Sequence, residues 1–223
     1  MKSLHKLFLF AQDIYIKISN LVGPEIIHNN EKHESLKKFL FYKKIEGVEG
    51  DYLEFGVYEG TSIKGAATYW RKIGGGKNMR FFGFDSFKGM SPEKGDEHPF
   101  YTNFDFSTDF HQIKKRFRNF PEVKLVPGFF NHTLKEGPSK YGIKKAAMIM
   151  MDCDLHSSAS QAFKFIDKVV QKGTILILDD YFNYLGGVER GVRKAFKEFC
   201  KRNKLVVEEL GRYGIGGAIF LII

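Results

Sequence analysis

Hydrophobic positions along the chain change period several times, and the changes mark out its elements. Leu4, Leu7, Phe8, Ala11, Ile14, Tyr15, Ile18 and Leu21 recur at helical spacing and predict an amphipathic N-terminal helix. Such a stripe can cover a core edge, pair with another subunit or lie on a membrane; packing is the simplest reading. A second helix is predicted over Ser35–Ile45, ending near Gly47. Beyond it, short apolar runs alternate with helical stretches. Strands are expected at Tyr52–Val57, Arg80–Phe84, Val123–Val126, Ala146–Met151 and Thr174–Leu178. Between and after them lie helices at Ile63–Arg71, Phe110–Phe120, Ser157–Val170 and Glu189–Arg202, with Ser157 or Ser158 able to cap the third. Leu205–Leu210 and Ala218–Ile223 close the chain as two strands around a Gly-rich turn.

That alternation predicts an α/β fold. The expected form is a doubly wound, Rossmann-like sheet of seven strands, mostly parallel with an antiparallel last strand, and helices on both faces. Ligands of such sheets bind outside the carboxyl ends of the strands. No repeat or linker divides the sequence, so 1–223 reads as one domain, with 1–47 a helical extension. The stretch 85–109 is polar and contains Gly and Pro; a loop of that length suits a lid over the site.

Composition narrows the class. An apolar fraction of 43% and a charged fraction of 27% are those of an ordinary globular protein. No run approaches the length of a membrane span and no cleavable leader is evident, so a cytoplasmic location is expected. Cys153 and Cys200 have neither zinc-site spacing nor the number of a disulfide framework. The net charge of +9 is carried by clusters such as Lys37–Lys38, Lys43–Lys44, Lys114–Arg118 and Lys197–Lys204. These read as solvated helix faces that also suit an anionic acceptor; no RNA-stacking motif accompanies them, and no nucleic acid is expected.

The polar residues with chemical promise all fall at strand ends. After the first strand comes Glu54-Phe-Gly-Val-Tyr-Glu-Gly-Thr-Ser62, a glycine-punctuated turn before a helix. A dinucleotide fingerprint would need G-x-G-x-x-G, whereas the frame here is Glu54-x-Gly56-x-x-x-Gly60, with Tyr58 in the middle. A carboxylate beside the turn disfavours a phosphate and suits a cationic ligand, such as an ammonium or a sulfonium. Asp85 ends the second strand, where an acid can accept hydrogen bonds from ribose hydroxyls or cap a helix.

The strongest signal is Asp152, Asp154, Asp179 and Asp180, at the ends of two strands expected to be neighbours. Like charges brought that close must protonate, spread into water or bind a cation. Oxygen-only ligands, three or four of these carboxylates, point to magnesium or a similar hard ion. Asp154 is then a candidate base, since an extended chain turns alternate side chains to one side. His156 is the competing base.

Four stretches together, Glu54–Ser62, Gly83-Phe-Asp-Ser-Phe-Lys-Gly89, Asp152-Cys-Asp-Leu155 and Asp179-Asp-Tyr181, resemble successive motifs of the macrocin O-methyltransferase family. The resemblance spans Tyr52 to Phe199 and departs from the family where His156 follows Asp-Leu in place of a frequent Tyr. It implies a class I, S-adenosylmethionine-dependent enzyme that methylates a sugar hydroxyl with a divalent metal. It places Glu54, Phe55, Gly56, Val57, Gly60, Thr61 and Ser62 at the cofactor's methionine side, with Asp152 beside them. Asp85 would hold the ribose, with Ser86, Phe87, Gly128 and Phe129 near the adenosine. It makes Asp152, Asp179 and Asp180 magnesium ligands and Asp154 the general base. The other functions considered are a metal-independent methyltransferase on RNA or another acceptor, and a non-catalytic S-adenosylmethionine-binding protein. The N-terminal helix is a candidate homodimer surface.

Overall fold

The computed structural model describes residues 2–76, 79–101 and 106–223. Two helices lead the chain, α1 (Lys2–Ser19) and α2 (Pro24–Glu46). They are followed by β1 (Asp51–Phe55), α3 (Thr61–Lys72), β2 (Phe81–Asp85), α4 (Phe110–Arg116), β3 (Val123–Pro127) and a short α5 (Phe130–Thr133). Then come β4 (Ala146–Met151), α6 (His156–Ile166), β5 (Ile175–Leu178), α7 (Gly191–Asn203), β6 (Val207–Tyr213) and β7 (Gly217–Ile222). One seven-stranded sheet results, in the order β3-β2-β1-β4-β5-β7-β6. Its first five strands pair in parallel, and β7 enters antiparallel to both β5 and β6.

The central strands carry apolar side chains on both faces because helices cover both. On one face Leu53, Phe55, Ile149, Met151, Leu176 and Leu178 pack with Phe163 of α6 and Phe196 and Phe199 of α7. On the other, Tyr52, Met148, Met150, Ile175 and Ile177 meet Leu36 and Leu40 of α2 and Ile63, Ala67 and Trp70 of α3. The strand order reverses between β1 and β4, which opens a crevice at the carboxyl ends of those two strands.

The N-terminal region departs from expectation twice. Helix α2 begins at Pro24, behind Gly23, eleven residues before the predicted start, and ends at left-handed Gly47. It is part of the domain, and its Lys43 is buried with its ammonium on the carbonyl of Gly173. Burial lowers that lysine to about 8, so this basic cluster is not wholly a solvated face. Helix α1, by contrast, buries no apolar side chain among the described residues. Phe8, Phe10, Ile14, Tyr15, Ile18 and Leu21 are all exposed; the Leu4 and Leu7 side chains lie outside the described residues. No described helix is long and apolar enough to cross a membrane.

Candidate active site

The crevice holds a cavity of about 750 Å³ that reaches from the β1 turn to the ends of β4 and β5. Its geometry starts at Gly56. There φ is +90°, and a Cβ would stand 1.6 Å from the carbonyl oxygen of Asp152, so only glycine lets the β1 turn lie against the end of β4. Gly60, at φ +75°, has a different reason: a Cβ would strike the ring of Phe117 at 2.7 Å. It serves packing and does not line the cavity.

Glu54 is fully buried beneath this turn. Its carboxyl accepts hydrogen bonds from the Tyr52 hydroxyl at 2.5 Å and the Ser62 hydroxyl at 2.6 Å. Burial pushes its pKa up to about 7 against those hydrogen bonds. The side chain therefore braces β1 to the start of α3 and does not face the cavity. Phe55, stacked on Phe84 at 5.2 Å, is likewise core. Asp85 does line the cavity, with its carboxylate fixed by three backbone N–H groups: Val57 at 2.6 Å, Tyr58 at 2.8 Å and Phe87 at 2.7 Å. Of the expected cofactor residues, Gly56, Val57, Asp85, Ser86, Phe129 and Asp152 line the space. Glu54, Phe55, Gly60, Thr61, Ser62, Phe87 and Gly128 lie behind or beside it, the last donating its N–H to the Asp85 carbonyl at 2.8 Å.

At the far wall, oxygens of Asp152, Asp179 and Asp180 lie within 4.8 Å of one another, as expected from adjacent parallel strands. Burial and the neighbouring carboxylates push Asp152 and Asp180 well above the usual carboxylate range. Asp179 is the exception. Burial opposes its charge, yet hydrogen bonding from His28 and the Lys32 ammonium hold it well below that range. The donor set is all hard oxygen and fits a divalent ion such as magnesium. Asp154 adjoins the cluster, but not through an extended chain. β4 ends at Met151, and Asp154 takes a left-handed conformation at φ +56°, its N–H donating to Asp180 at 3.2 Å. Burial pushes its carboxyl up to about 6.

His156 is not brought to this group. As the first residue of α6 it turns outward, with Nε2 3.1 Å from Glu198 on α7, and it does not line the cavity. Nor does either serine cap α6 with its own side chain. Buried Asp96, from the expected lid, accepts hydrogen bonds from the Ser157 N–H at 3.2 Å and from its hydroxyl. The contact ties this stretch to the start of α6, and His98, Phe100, Tyr101 and Phe106 line the cavity; residues 102–105 lie outside the described residues. The Tyr101 hydroxyl stands 3.5 Å from Asp180, and Asn183 donates to the same carboxylate at 2.8 Å.

Hydrophobic period does not single out His28 and Lys32. One turn apart on α2, they reach the carboxylates directly: Lys32 Nζ lies 2.9 Å from Asp152 and 2.8 Å from Asp179. His28 accepts the Ile215 N–H at Nδ1, which leaves Nε2 to donate to Asp179 at 3.0 Å. This face of α2 is polar because its partner is a carboxylate cluster, so it carries no apolar period. The signal that could have found them was a His and a Lys four residues apart, on one side of a helix.

Comparison with known proteins agrees with this architecture. The family model described as macrocin-O-methyltransferase (TylF) matches residues 27–216. A curated relative from Streptomyces olivaceus, 8-demethyl-8-(2,3-dimethoxy-alpha-L-rhamnosyl)-tetracenomycin-C 4'-O-methyltransferase, is 27% identical over 150 residues. That match covers 61% of this chain and about half, 54%, of the relative. Among solved structures, the O-methyltransferase NovP superposes with a TM-score of 0.71 at 21% identity, over 86% of this chain and 79% of its own. A calicheamicin methyltransferase gives 0.68 at 19% identity, over 85% and 77%. At such identities the two structures speak to the fold alone.

Proposed function

Because the chain belongs to the macrocin-O-methyltransferase family, we propose that it transfers the methyl group of S-adenosylmethionine to a hydroxyl of a sugar or glycosylated molecule. We further assign a divalent cation, magnesium or a similar ion, to Asp152, Asp179 and Asp180. One observation carries this reading: the β1 turn with Asp85 and the carboxylates with Asp154 are two ends of one cavity. Cofactor and acceptor would thus meet in a single space. The relative's name supplies the acceptor class, a rhamnosyl hydroxyl.

Methyl transfer from a sulfonium is chemically activated already, so the protein's main task is alignment. The fixed Asp85 carboxylate, the Val57–Tyr58 backbone and Phe129 orient one reactant. At the other end Asp154 takes the proton from the acceptor hydroxyl at its carboxylate oxygen. A bound cation would lower the pKa of that hydroxyl. Tyr101 and Asn183 hold Asp180 in place, and the stretch 85–109, tied to α6 through Asp96, would serve as a lid over the reacting atoms. Aromatic faces of Tyr58, Phe106, Phe100 and Tyr101, with centroids 5.5–6.3 Å apart in sequence around the rim, suit the flat apolar side of a sugar ring or its aglycone. The exposed apolar face of α1 is assigned to a second copy of the chain.

The test is calorimetric titration of S-adenosylhomocysteine, followed by magnesium into the complex. Binding of both supports the assignment and directs screening to glycosides with neighbouring hydroxyls. Absence of cofactor binding sinks the reading. Cofactor binding without a cation response removes the metal and leaves a metal-free transferase.

A further inference from the structure

The side chain of Lys32 is only 12% exposed and bridges two of the three carboxylates assigned to a cation. Its ammonium contacts Asp152 at 2.9 Å and Asp179 at 2.8 Å through one oxygen of each. The same two aspartates each supply an oxygen to the set that converges within 4.8 Å. The helix that carries it is fastened here by polar contacts: His28 to Asp179 and Ile215, and Glu31 to the Gly214 N–H. Apolar Ile26 and Ile27, at the start of the same helix, are exposed. The first turns of α2 are thus held by polar contacts to the carboxylates and to the Gly214–Ile215 backbone.

We propose that Lys32 is a built-in cation that competes with the divalent ion for Asp152 and Asp179. The proposal rests on the metal reading above. An ammonium on a four-carbon stem neutralises the two carboxylates without offering an electron pair, so it can stand in for a metal's charge but cannot share its ligands. A divalent ion arriving at the same oxygens meets a like charge, and the flexible stem lets the ammonium withdraw. The apo site is then held together by Lys32, and the cation affinity of the wild-type protein is set below what three aspartates alone would give.

Lys32→Met keeps the length of the stem and removes the charge. Manganese(II) binding to the full chain, saturated with S-adenosylhomocysteine, can be read from the spin-resonance signal of the free ion. The variant is expected to bind manganese at least tenfold more tightly than wild type, and manganese should raise its melting temperature by more. Lys32→Arg, which keeps the charge, should bind no tighter than wild type and guards against a folding defect in the methionine variant. If the Met variant fails to fold unless manganese is present, while the Arg variant folds without it, the competition is supported. Equal or weaker manganese affinity in Lys32→Met overturns the competition but leaves the metal assignment standing. Absence of manganese binding in all three proteins overturns both.

Discussion

A side-chain carbon on Gly56 would stand 1.6 Å from the carbonyl oxygen of Asp152. The contact ties the β1 turn to the first of the clustered carboxylates, and it is made by backbone on both sides. Neither partner can relax by changing a rotamer. Gly56→Ala combines that clash with a φ of +90°, and should cost roughly 3 kcal/mol or more of stability. Urea unfolding checks it; a variant as stable as wild type would show that the turn can move away.

Glu54 predicts a pH dependence of stability. Its folded pKa is near 7 against an ordinary 4.5. Below about 4.5 both folded and unfolded forms carry the proton. As pH rises from there to about 7 the unfolded chain loses it first, so stability falls across that window and levels off above it. The loss is at most about 3 kcal/mol. Asp152, Asp154 and Asp180 are raised too and add to the slope, so Glu54→Gln should lose less stability than wild type between pH 5 and pH 8 while keeping part of the fall. The same slope in both proteins assigns it to another group.

Asp154→Asn tests the base. Asparagine tolerates the left-handed backbone at this position, so the fold should persist. Turnover on a glycoside acceptor is expected to drop about 10²–10⁴-fold, with S-adenosylhomocysteine affinity unchanged by calorimetry. Wild-type turnover would remove Asp154 from the chemistry.

Asp180→Asn is a cleaner probe of the cation than any change at Asp179. Asp179 also receives His28, Lys32 and the Tyr213 hydroxyl at 2.5 Å, so its loss would unfasten α2 as well. The Asp180 variant should keep cofactor binding and lose the calorimetric response to magnesium. An undiminished magnesium response places the ion elsewhere.

Removal of residues 1–21 tests the second-copy assignment for α1. The shortened protein should elute as a monomer on gel filtration where the full chain elutes as a dimer. An identical oligomeric state in both would free α1 from that role.

Short-range pattern was enough to determine the sheet. Ala146–Met151 was legible to the residue because a strand buried on both faces is a continuous apolar run, and the aspartates that end β4 and β5 were legible because they interrupt it. The left-handed turn at Asp154 and the outward turn of His156 were not, since their partners Asp180 and Glu198 lie far along the chain; the inward burial of Glu54 was not either, because its partners Tyr52 and Ser62, though near in sequence, meet it only once the turn has folded. The first half of α2 is the clearest case. Hydrophobic period reveals a helix only where its partner is apolar, and His28 and Lys32 face carboxylates 120 and more residues away. The sequence alone determined which strands exist and which acids stand at their ends; only the tertiary structure decided which cations stand against those acids, because charge pairing has no period to read.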